Sequence, residues 1–212
     1  MKLKKNRMTM FVPEQERPVD LKVSPFLDLA VVRLDAKLEH EMTDEAWRAA
    51  QCGKGEAGEI CVAGDHVLTT YYRNPEAVRT NKIRVGGRIY HRTGDAGRMV
   101  DGGLYLLGRA SRVFRTAGGA WCYPALVEHE LAGLSSSTAG TVVRASDGRA
   151  VLVLESGNPR AAEAEAARLD PSRVPHDDIR VVEHIPRDPR HASKIDYGAL
   201  VARELMYGQR ND

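Results

Sequence analysis

The chain has 212 residues, with 31 lysines and arginines against 29 acidic residues and a formal charge of +2. That balance excludes a dedicated nucleic-acid binder, and 42% hydrophobic with 28% charged residues excludes a disordered chain. No apolar run reaches the ~20 residues of a membrane helix. Cys52, Cys61 and Cys122 are too few and too widely spaced for a disulfide framework or a zinc site, so a reduced, cytoplasmic setting and no metal ligands are expected.

Residues 1–24 are polar without a period and read as a poorly ordered arm. Its basic start is followed too soon by charge, from Glu14 to Arg17, for an export signal. Phe26–Leu34 predicts a strand, Glu41–Gln51 a short helix or loop, Glu59–Ala63 a strand, and Val67–Tyr72 further β structure. Asn74-Pro75-Glu76 signals a helix start, with a capping Asn and Pro at the first helical position. Arg88–His91 predicts a strand ending at Thr93-Gly94-Asp95, and Asp101-Gly102 a hairpin turn. The reading to this point is a distorted antiparallel β-barrel subdomain over residues 25–109.

Beyond Arg109 the pattern changes to a small α+β domain over residues 110–212. Val113–Arg115 is a short strand, Ala117-Gly118-Gly119 a turn, and Ala125–Leu131 a helix. Thr141–Ala145 and Ala150–Glu155 form a hairpin around Asp147-Gly148. Pro159–Leu169 is a helix, Ile179–His184 a strand, Pro186–Ser193 a loop, and Ile195–Met206 a helix burying Ile195, Leu200 and Leu205.

A few residues carry chemistry. A carboxylate at Asp95, after Thr93 and the conformationally free Gly94, accepts from two adjacent hydroxyls, as a ribose diol requires; the bland alternative is a turn-stabilising Asp. A turn at Asp101-Gly102 sets Asp95 opposite Gly108, one position from Arg109, at the open end of the hairpin. That couple is a site or a structural salt bridge. Lys194, expected just before a helix, grips an anion or is one more surface lysine. His191 is a proton carrier or a loop hydrogen-bonder. Gly118-Gly119 allows close approach of a ligand or forms an ordinary turn, with Trp121 as core.

These segments together resemble the adenylate-forming superfamily of acyl-CoA synthetases, luciferases and adenylation domains. They are Gly58–Gly64, Tyr72–Ala77, His91-Arg92-Thr93-Gly94-Asp95, Leu107-Gly108-Arg109, Arg115–Glu128 and Ile185–Leu200, in family order. The resemblance implies roles. Asp95, with Thr93 and Gly94, would hold the ribose of ATP or AMP, and Arg109 would lie beside it. Ala110 and Ser111 would be the hinge of a mobile C-terminal lid, and Gly118 and Gly119 would meet the acceptor's arm. Lys194 would bridge the substrate carboxylate and the α-phosphate. Arg190–Ile195 is further similar to the olefin-biosynthesis β-lactone synthetases, implying a β-hydroxy fatty acid whose hydroxyl expels AMP without CoA.

The family's phosphate-binding loop and its magnesium-holding segment do not occur in these residues. The expectation is therefore the C-terminal part of an ATP-dependent acid ligase, inactive alone, with Mg held elsewhere. Its partners would be a carboxylic acid, CoA or a carrier protein, and a separate chain carrying the N-terminal adenylation region. The competing expectation is a non-catalytic accessory module that binds a carrier protein or a ligase subunit.

Overall fold

The computed structural model describes residues 8–11, 19–21, 27–101 and 103–206. Most of the expected 1–24 arm, and Gly102 of the expected turn, lie outside the described residues, as does the Leu205 side chain. The chain divides into two compact units, Met1–Ser111 and Arg112–Asp212.

The first unit contains strands β1 (Met8–Phe11), β2 (Val19–Leu21) and β3 (Asp28–Val32), then β4 (Glu41–Met42) and helix α1 (Asp44–Ala50). Strand β5 (Ala57–Ala63), helix α2 (Pro75–Asn81), and strands β6 (Lys82–Val85), β7 (Arg88–Val100) and β8 (Gly103–Arg109) follow. One sheet runs β2-β1-β8-β7-β5-β3, with β6 on β7 and β4 on β6. Two expectations change here. Among the described residues no pairing joins β2 to β3, so the sheet is open rather than a barrel. It is also mixed, because β1 runs parallel to β8 and β4 parallel to β6.

Alternation along the strands buries both faces of this sheet. Ala30 and Val32 of β3 join Cys61 and Ala63 of β5, Ile83, Val85, Tyr90 and the α1 residue Trp47. Val31 points the other way, toward Ile60 and Leu104. Helix α1 starts where the Thr43 hydroxyl accepts from the Ala46 N–H at 3.1 Å. Helix α2 starts at the expected Asn74 cap, whose Oδ1 accepts from Ala77 N–H at 3.0 Å, with Pro75 opening the first turn. Val67–Tyr72 is not a strand: no ladder partner reaches it, and Leu68 and Tyr72 are exposed.

The second unit contains strands β9 (Phe114–Arg115) and β10 (Trp121–Cys122), helix α3 (Pro124–Leu131) and strands β11 (Ala139–Arg144) and β12 (Ala150–Glu155). Helix α4 (Pro159–Ala166), strands β13 (Asp178–Val182), β14 (Arg187–Asp188) and β15 (His191–Ile195), and helix α5 (Tyr197–Met206) complete it. The β11-β12 hairpin turns at Asp147-Gly148, as the sequence predicts, and β13 adds parallel to β12. Val151–Leu154 of β12 is fully buried, since alternate residues face separate cores. Val142, Leu152 and Leu154 pack with Val127 and Leu131 of α3 and with Ala162 and Ala166 of α4. Val143, Val151 and Val153 pack with Ile185 and Leu200. Among the described residues no helix is long and apolar enough to cross a membrane.

Candidate functional site

Asp95 does not end a strand. β7 runs through Thr93-Gly94-Asp95 for 13 residues without a break. The segment bulges, because Glu59 of β5 faces Ala96 while Cys61 faces Arg92, leaving Thr93, Gly94 and Asp95 opposite the lone Ile60. The Thr93 hydroxyl fills the gap in the ladder, donating to the Ile60 carbonyl at 2.8 Å and accepting from the Asp95 N–H at 3.1 Å. Gly94 takes the left-handed conformation, φ +73°, that the bulge requires.

A second irregularity lies on the opposite edge of β7. Ala96 faces Gly108 but Gly97 faces Leu106, so Leu107 is the extra residue. Symmetric counting from the turn puts Asp95 opposite Gly108; the bulge moves the register by one and puts Asp95 directly opposite Arg109. Arg109 Nη1 then lies 3.1 Å from Asp95 Oδ1, with 65% and 40% of the two side chains exposed. An ion pair this open adds about 0–1 kcal/mol to stability. The structure thus brings together Thr93, Gly94, Asp95 and Arg109 on one half-exposed rim.

Sequence reasoning missed the support of this rim. Glu59, almost fully buried, receives Arg92 through Nε (3.2 and 3.1 Å to the two oxygens) and Nη2 (2.6 Å). Arg92 Nη1 also donates to the Thr80 carbonyl at 3.3 Å, tying the end of α2 to the strand just before the bulge. The available signal was a Glu and an Arg inside runs that otherwise alternate apolar.

In the second unit, the Gly118-Gly119 turn closes the β9-β10 hairpin through Gly119 N–H to Thr116 carbonyl at 2.9 Å. Arg115, which opens the family-like Arg115–Glu128 segment, donates to the Gly119 carbonyl at 3.0 Å and lies 4.2 Å from the centre of the half-buried Trp121 ring. No atom lies within 4 Å of where a Gly119 side chain would start, so the turn is open on that side. Ala110 and Ser111 form a 3-10 turn with Arg112, where the two units meet along the chain.

Lys194 stands elsewhere than expected. The predicted 186–193 loop is mainly a hairpin, with Arg187 opposite Ile195, and Lys194 is exposed on its second strand, β15. Helix α5 starts only at Tyr197, and Asp196 Oδ1 accepts from the Ala199 N–H at 2.9 Å. That carboxylate takes the helix N-terminus itself, so the anion attraction expected there for Lys194 does not arise. His191 is exposed; its backbone N–H bonds Asp188 Oδ1 at 3.2 Å in the turn.

Other chemistries find little support. Burial pushes the Cys52 thiol up to about 11 and the Cys61 and Cys122 thiols up to about 12, so none is a thiolate nucleophile near neutrality. Among the described residues no three His, Cys, Asp or Glu side chains converge to hold a metal ion.

No family model matches the chain. It is 32% identical over 145 residues to a 3-[(3aS,4S,7aS)-7a-methyl-1,5-dioxo-octahydro-1H-inden-4-yl]propanoyl:CoA ligase of Rhodococcus jostii, covering 64% of this chain and 27% of that protein. It is 39% identical over 66 residues to the medium-chain-fatty-acid–[acyl-carrier-protein] ligase TtuA of Teredinibacter turnerae, covering 26% of this chain and 10% of that one. Among solved structures, ATP-bound MatB from Rhodopseudomonas palustris superposes with a TM-score of 0.62 at 20% identity, over 87% of this chain and 35% of its own. The chain thus spans about a quarter of the first of these relatives and a third of the solved structure.

Proposed function

We propose that the chain is the C-terminal, ribose- and lysine-bearing portion of an ATP-dependent acid ligase of the adenylate-forming superfamily, to which its relatives and its motifs point. The observation that supports this most is the half-exposed Asp95–Arg109 couple, set face to face by the bulge at Leu107 and carried on the bulged Thr93-Gly94-Asp95 segment. Such irregularities weaken a sheet locally and are retained where they aim a side chain. Asp95 accepts from the 2′- and 3′-hydroxyls of ATP, using Oδ2 and the outer face of Oδ1. Arg109 holds the carboxylate in place and lies beside the same sugar.

In adenylation the substrate carboxylate attacks the α-phosphorus, pyrophosphate leaves, and acyl-AMP forms. Lys194 places its ammonium between the attacking carboxylate and the α-phosphate, offsetting the negative charge that builds on the five-coordinate phosphorus. The reach needed to deliver it comes from rotation at Ala110-Ser111, and the open Gly118-Gly119 turn receives the acceptor's arm. The relatives are a CoA ligase and a carrier-protein ligase, so thioester formation is one outcome. With a β-hydroxy acid, the acyl-AMP hydroxyl instead attacks the carbonyl and AMP leaves as a β-lactone forms; the Arg190–Ile195 segment favours that substrate class. Products analysed with and without CoA separate the two.

These 212 residues contain no phosphate-binding loop, so turnover requires that region, on the same polypeptide or on a partner. The test is ATP–pyrophosphate exchange with the 212 residues alone and with the phosphate-binding region added. Exchange only in the second case, reduced about 10²–10³-fold by Lys194→Ala with the KM for ATP changed less than threefold, is the expected result. Carrier-protein binding without exchange in any combination would instead support the accessory-module reading.

A further inference from the structure

In the second unit a half-buried polar cluster surrounds Tyr197. Its hydroxyl donates to Glu128 Oε1 on α3. Thr141 of β11, fully buried, donates to the same oxygen at 2.7 Å and lies 3.1 Å from the tyrosine hydroxyl. The Arg112 guanidinium stacks 4.1 Å from the centre of the Tyr197 ring. Burial, with Glu128 beside it, raises the tyrosine above its ordinary titration range, so it stays a donor at working pH.

The positions of these residues along the chain give the cluster its meaning. Arg112 is the first residue of the second unit and directly follows Ser111. Tyr197 is three residues beyond Lys194. The two residues between are also fixed: Ile195 packs on the Val143–Val151–Val153 core, and the Asp196 N–H donates to the Pro186 carbonyl at 2.9 Å. A path of packed and hydrogen-bonded groups therefore joins the start of this unit to the lysine hairpin, although Arg112 and Lys194 are far apart in sequence.

We propose that Arg112, Tyr197 and Glu128 are positioning residues that lock the Lys194 hairpin to the segment next to the hinge, so that rotation there carries the ammonium as part of one rigid body. The proposal rests on the assignment of Lys194 made above. A lysine delivered by rotation needs this, because a loose lever scatters the charged group by more than the ångström or so that transition-state stabilisation tolerates.

Hydrogen exchange followed by mass spectrometry on the full chain tests it without requiring turnover. Tyr197→Phe removes the hydroxyl but keeps the ring, and Arg112→Met removes the charge from an exposed position outside the buried hydrogen bonds. Met at 112 therefore provides a folded variant even if Phe at 197 does not. Exchange over residues 187–199 is expected to accelerate about tenfold in both, with β11 and β12 unchanged. Unchanged protection over 187–199, or equal acceleration across the whole unit, would overturn the proposal. In the assembled enzyme, Arg112→Met is expected to lower the adenylation kcat about tenfold at constant KM for ATP; an unaltered kcat would also overturn it. Absence of pyrophosphate exchange in the unsubstituted assembly would instead count against the assignment of Lys194, whatever the protection pattern.

Discussion

Asp95 and Glu59 are both paired with arginine in the same unit, and their energetics differ. The Asp95–Arg109 pair is half exposed, where solvent screening reduces an ion pair to about 0–1 kcal/mol. Asp95→Asn is therefore expected to leave the unfolding midpoint nearly unmoved. In the assembled enzyme it should weaken AMP binding about 10–100-fold, the range of a lost charge-assisted bond, as titration calorimetry would show. A destabilised protein with unaltered affinity would make the couple structural. Glu59 is buried, and Arg92 is 31% exposed. Glu59→Gln leaves the guanidinium without its counter-charge and should cost about 3 kcal/mol, the low end for a broken buried pair. Urea unfolding measures it.

At the scale of elements, the devices that position functional groups are turns, bulges and caps. Glu165 of α4 shows how one carboxylate can fix a loop. Its oxygens accept from the backbone N–H groups of Ser135 and Ser136 at 3.0 and 2.9 Å, and from both serine hydroxyls. Those bonds, the Ser136 hydroxyl first, hold the carboxyl down to about 2 from an ordinary 4.5. A lowered pKa gives stability that is complete above about pH 4.5 and is lost as pH falls toward 2. Glu165→Gln should therefore flatten the acid sensitivity of the second unit across that window. Thermal melts taken stepwise from pH 5 to about pH 2 decide it; parallel curves for the two proteins would remove the anchor role.

At the scale of the whole molecule, the two units have separate cores. Ala30, Val32, Cys61 and Ile83 belong to one, and Val127, Val142, Leu152 and Leu154 to another. Leu152 is fully buried, so Leu152→Ala should cost about 2–5 kcal/mol through lost burial and the cavity left behind. With separate cores, that loss should shift one of two urea transitions and leave the other in place, while Glu59→Gln should do the reverse. A single transition moved by both substitutions would show that the units unfold together.

What the sequence could settle was local. The Asn74-Pro75 helix start and the turn at Asp147-Gly148 depend on a few neighbouring residues, and both stand where the residues predict them. The rest depended on partners distant in the chain. Thr93-Gly94-Asp95 read as a strand end because nothing nearby shows that Ile60, 33 residues earlier, completes the ladder. The one-residue shift that sets Asp95 against Arg109 comes from Leu107, which local pattern cannot distinguish from any other apolar strand residue. Lys194 read as a helix-start residue until β14 paired with β15 and Asp196 took the cap. Turn and cap preferences are set by steric and hydrogen-bonding limits within four or five residues. Register, bulges and buried ion pairs follow from which strands meet, and that is decided only when the chain packs.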